Sequence, residues 1–183
     1  MSTTAHGGQG RVAATLVAVA VGALVSVLLG VFGRSHQPTG GTELLLGFDS
    51  LISMKVTLAF VTVGLALVQG VTALWMYGRL GLRVPARLGL VHRGTGVLAL
   101  LVSLPVAYHC LWSIGFENYT GRVLLHSLAG CLVYGVFVTK VLGLHTRGSK
   151  WLVPVAGSLL FTAIVAAVLT SALWYVTSGG GSY

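Results

Sequence analysis

Five apolar runs dominate this chain of 183 residues, at about 12–33, 51–78, 94–116, 123–145 and 151–176. Each is about the 20 residues that an α-helix needs to cross the hydrocarbon layer of a bilayer, or longer. In that layer every backbone polar group must be satisfied internally, so runs of this kind fold as helices packed side by side. The expected fold is therefore all-α, an integral membrane bundle of five transmembrane helices forming a single transmembrane domain over residues 1–183. Composition supports it. Only 8% of the residues are charged and 55% are hydrophobic, whereas soluble domains carry about 25% charged residues. The formal charge of +8 does not point to nucleic acid, because the basic residues stand singly or in short loops between the apolar runs.

The loops set an expected orientation. Arg11 precedes the first run; Arg79, Arg83, Arg87 and Arg93 separate the second from the third; Arg147 and Lys150 separate the fourth from the fifth. Cytoplasmic loops carry the excess of Lys and Arg, which puts the N-terminus in the cytoplasm and the C-terminus outside. The other side holds Arg34 and Arg122 with all three acids, Glu43, Asp49 and Glu117. Trp75, Trp112, Trp151 and Trp174 fall near run ends, at the headgroup depth that indole prefers. The first run is too long for a signal peptide and reads as an uncleaved anchor. Pro105 is expected to kink the third helix, whereas Pro154 sits in the first turn of the fifth, where proline is tolerated. Cys110 and Cys131 read as small buried hydrophobes with no bridge between them. Lys55 reads as a snorkelling side chain, and His36 and His6 as solvated.

Four histidines carry the chemistry. His109 and His126 flank the polar turn around Glu117, and His92 and His145 lie at the cytoplasmic ends of the same two helices. An ionisable ring within a span is costly and is a functional candidate by default, and neutral imidazole is a ligand of haem iron. Antiparallel helices bring His109 opposite His126, so the pair is expected to bind one b-type haem near the outer face. Gly130, one turn below His126, leaves room for a flat macrocycle, and Arg122, one turn before it, reaches toward a propionate. His92 lies 17 residues before His109 and His145 lies 19 after His126; each is rotated about 100° from its partner on the helix, so a second haem there is the weaker expectation. The bland reading is that the rings are hydrogen-bonding glue between helices, each bond contributing only about 0.6 kcal/mol.

The segments LPVAYHCLWSIGF (104–116) and RVLLHSLAGCLVYGVFVTKVLGL (122–144), with WMYGR at 75–79, resemble a family of uncharacterised bacterial five-span membrane proteins with a YHC…HS helical hairpin. That resemblance implies the fold but no activity. In architecture the paired histidines are also similar to cytochrome b561 and ferric-reductase-type transmembrane domains, where two ligands on one helix commonly lie about 13 or 14 residues apart on one face. The spacings of 17 and 19 depart from that pattern, so the likeness implies ligand roles for His109 and His126 only.

No HExxH, phosphate-binding glycine loop or nucleophile elbow occurs. The leading expectation is a b-type haem-binding electron-transfer protein, or a redox subunit of an oxidoreductase rather than a stand-alone enzyme. It would sit in the bacterial cytoplasmic membrane and exchange electrons with a quinone or an extracytoplasmic redox protein. Two alternatives stay open: a cofactor-free scaffold or accessory subunit, and a small transporter with a histidine proton relay.

Overall fold

The computed structural model describes residues 3–38, 44–146 and 149–180, with the backbone alone for residues 3–7. The His6 side chain, Glu43, Arg147 and the last three residues of the tail lie outside the described residues. Helix α1 spans Thr3–Ser35, α2 Leu51–Met76, α3 Leu88–Tyr108, α4 Gly121–His145, α5 Leu152–Val168 and the short α6 Trp174–Thr177. A π-helical turn, His109–Ile114, extends α3, and a second, Leu169–Leu173, joins α5 to α6. Among the described residues, five helical segments of 25 to 28 residues are long and apolar enough to cross a membrane. The protein is a multi-pass membrane protein, with five spanning helices among the described residues.

Local sequence sets the helix ends. Ser50 and Thr120 cap α2 and α4, each side-chain oxygen accepting from a backbone N–H three residues on, at 3.2 Å; such caps satisfy donors that a helix start leaves bare. Gly78, at φ +71°, ends α2 in the left-handed conformation that glycine adopts without penalty. Helix α3 begins at Leu88, six residues before the expected 94, because His92 and Arg93 are tolerated at the membrane edge where a hydropathy reading stops. Pro105 stands inside α3, and the π turn follows four residues later.

The packing order is not the chain order. Helix α4 lies against α1 and α5, and α2 against α3 and α5, while the backbones of the consecutive helices α3 and α4 stand apart. Tyr134 spans that gap, its hydroxyl lying 3.0 Å from Ser103 Oγ and 3.2 Å from the Ser103 carbonyl. Helix α1 approaches α4 through small residues: a Cβ added at Gly22 would run into Thr139 and the Gly135 carbonyl, and one at Gly135 into Ser26 and the Gly22 carbonyl. Lipid chains give no hydrophobic drive between helices, so close van der Waals approach of this kind does the work. At the end of α1 the Gly33 carbonyl accepts from Phe116 N–H at 2.7 Å. The outward faces carry exposed Leu and Val, such as Leu16, Val27, Leu67, Leu90 and Leu101, as surfaces facing lipid should.

Candidate functional site

The α3–α4 gap opens as a pocket at the end of the bundle that carries Glu117. It has a volume of about 160 Å³ and is walled by α2, both π turns and α4. Both π turns therefore border one cavity, and such turns occur frequently at functional sites. His126, Cys110, Lys55, Arg122, Tyr134 and Glu117 supply its main polar groups, and residues such as Val56, Ala107 and Leu111 the apolar ones. Gly130 also lines it, and a Cβ there would meet nothing within 4 Å.

His126 is held in one orientation. The Ala167 carbonyl lies 3.1 Å from its Nδ1, and because a carbonyl only accepts, Nδ1 carries the proton. Nε2 is then left with a lone pair, facing Cys110 Sγ at 4.0 Å, where the thiol donates a weak hydrogen bond. Arg122 donates to the Thr170 carbonyl at 2.6 Å and lies 3.6 Å over the Trp174 ring. Two carbonyls at or beside the second π turn thus fasten two pocket residues of α4.

His109 is not in this pocket. The ring is fully buried; Nε2 donates to the Leu44 carbonyl at 3.2 Å, and Ser113 Oγ donates to Nδ1 at 3.2 Å. One tautomer satisfies both bonds, and the ring ties the α1–α2 connection to the end of α3. The two imidazoles expected to share a gap thus have separate surroundings, and it is Cys110, the neighbour of His109, that faces His126. The reason is physical: α3 is apolar on every side, so its 3.6-residue period cannot tell which face meets α4.

The inner histidines are also separate. His92 Nδ1 is 2.8 Å from Thr72 Oγ1, its carbonyl accepts from Gln69 Nε2, and Gln69 also donates to Thr95 Oγ1 at 2.6 Å. These bonds stitch α2 to α3. His145 is exposed and donates through Nδ1 to the Val141 carbonyl of its own helix at 2.8 Å. His36, expected to be solvated, instead stacks on Phe32 with centroids 5.0 Å apart and packs against Trp112 at 4.4 Å; the turns of helix beyond Phe32 carry it back over the aromatic cluster. Cys110 and Cys131 are free thiols.

The sequence reading passed over Cys110 and Lys55 as pocket residues. A thiol adjacent to an intramembrane histidine, and a lysine with no acid nearby in its own span, were the available signals.

A bis-histidine haem meets this geometry only in part. His126 Nε2 suits an iron ligand, its Nδ1–H resting on a carbonyl as ligating histidines commonly do. His109 has both nitrogens committed and does not line the pocket that His126 faces. As arranged, the residues do not fit a porphyrin between the two rings.

No curated protein and no solved structure matches the chain. A family model described as a family of unknown function, DUF6529, matches residues 14–182. With nearly the whole length matched and five apolar helices in place, the chain belongs to the DUF6529 family.

Proposed function

We propose that the protein is a membrane subunit of an electron-transfer system, meeting an amphiphilic electron carrier in the pocket beside His126 and facing the extracytoplasmic side of a bacterial cytoplasmic membrane. The observation that carries the reading is the His126 ring, fixed through Nδ1–H and presenting Nε2 to a cavity. Burying an ionisable ring in a span is expensive. Unlike His109, whose two nitrogens both bond protein groups at 3.2 Å, His126 turns Nε2 to the cavity with only the 4.0 Å thiol contact. Nε2 can take or return a proton at the polar head of a carrier, and Lys55 can donate to a carbonyl on it. Arg122, anchored at two points, fixes the wall.

The test uses vesicles from cells that make the full chain. Quinol-driven reduction of an external soluble acceptor is expected to fall at least tenfold with His126→Ala at equal protein level. An unchanged rate would overturn the proposal.

A b-type haem on His126 and His109 is a second reading, favoured by the ligand-ready Nε2. It requires His109 to exchange its bonds to Leu44 and Ser113 for iron and the α3–α4 gap to widen. A reduced-minus-oxidised spectrum of purified protein tests it. b-type bands lost in both His109→Ala and His126→Ala support it; colourless folded protein overturns it.

A further inference from the structure

A second, larger cavity lies on the lipid-facing side between α1 and α4, with a volume of about 780 Å³. Its walls are Val27, Val31, Leu128 and Leu132, with Arg34 and Ser35 at the Glu117 end. Phe116 and Cys131 line both this groove and the His126 pocket. Gly30 forms part of the groove at that shared wall: a Cβ added there would lie 3.8 Å from Cys131 Sγ and 4.0 Å from the Phe116 ring. A small, mostly apolar chamber with a few polar side chains therefore abuts an apolar groove open to lipid, with Phe116 and Cys131 between them.

We infer that the two adjoining cavities bind a prenylated quinone, its ring in the chamber and its isoprenoid tail in the α1–α4 groove, with the Phe116 side chain turning aside where they meet. This deepens the electron-transfer reading and rests on it for its biological sense. Size separates the two parts: about 160 Å³ suits one substituted ring, and the groove runs along α1 from Ser26 to Ser35, about 13 Å at helical rise. Hydrogen-bond chemistry selects the head. A quinone carbonyl needs a donor, which Lys55 offers; a quinol hydroxyl needs an acceptor, which His126 Nε2 offers by giving up its weak bond from the Cys110 thiol. A phospholipid phosphate needs donors alone; Lys55 and Arg122 can supply them, but it would leave the His126 acceptor without a donor.

The experiment is quenching of Trp174 fluorescence, the ring beneath the pocket residue Arg122, in the purified full chain carrying Trp75→Phe, Trp112→Phe and Trp151→Phe. The probes are a quinone with a short isoprenoid tail, the same ring without a tail, and phosphatidylglycerol. The tailed quinone is expected to saturate, with the bare ring at least tenfold weaker. Gly30→Leu, which fills the groove, brings the tailed quinone down to the affinity of the bare ring; Leu132→Trp fills it from α4 and serves if the first variant does not fold. Gly130→Val, placed in open chamber space, weakens both quinones at least tenfold. Unsaturable quenching, groove variants that bind the tailed quinone normally, or stoichiometric displacement by phosphatidylglycerol would overturn the inference. Quinone binding with this pattern but no His126-dependent rate in vesicles would retain the site and remove the electron-transfer reading.

Discussion

Gly135→Leu is expected to undock α1 from the bundle while leaving the other helices packed. A Cβ at this position already runs into Ser26 and the Gly22 carbonyl, and backbone cannot yield by changing rotamer. Over-packing of a well-packed interior costs about 1–3 kcal/mol and occasionally more. Here α1 has α4 as its main neighbour, so the cheapest response is for the helices to separate. Gly135→Ala, whose Cβ already meets the Gly22 carbonyl, should show the upper part of that range and Gly135→Leu exceed it, read as thermal melting in detergent. Helix α1 is apolar enough to stay in the bilayer alone, so insertion should persist while its protection from protease at the Ser35 end is lost. Gly64→Ala is the control: nothing lies within 4 Å of its added Cβ, and the exchange should be neutral or stabilise by up to about 1 kcal/mol.

His109→Ala is expected to be nearly as damaging, for a different reason. Truncating a fully buried ring leaves a cavity, and large side chains cut to Ala in a core cost about 2–5 kcal/mol. The Leu44 carbonyl and Ser113 hydroxyl also lose their partner, a smaller loss because Leu44 is exposed and Ser113 half-buried. Because Leu44 belongs to the α1–α2 connection, proteolysis near residues 44–48 should accelerate alongside the fall in melting temperature. His145→Ala, at an exposed ring bonded to its own helix, should change neither.

The contrast between these histidines marks where sequence reading stops. The five helices were legible because about 20 apolar residues in hydrocarbon have few alternatives to helix, and the tryptophans placed the ends independently. Gly130 was legible as space beside His126, since a missing side chain is informative whatever faces it. Which side of α3 meets α4 was not. With apolar residues all round, no moment selects His109 over Cys110, and a single step of 100° decides which of them shares a cavity with His126. Lys55 was hidden for a similar reason: a lysine near a span end has a ready explanation in snorkelling, and only the fold brings it to the pocket.

The division of labour between the rings is the claim on which the rest depends, and one paired measurement reaches it. Quinol-driven electron transfer, normalised to folded protein, should be lost in His126→Ala with melting little changed, and retained per folded molecule in His109→Ala despite its lower melting temperature. A normal rate in His126→Ala would contradict the account, as would equal loss of rate per folded molecule in both variants.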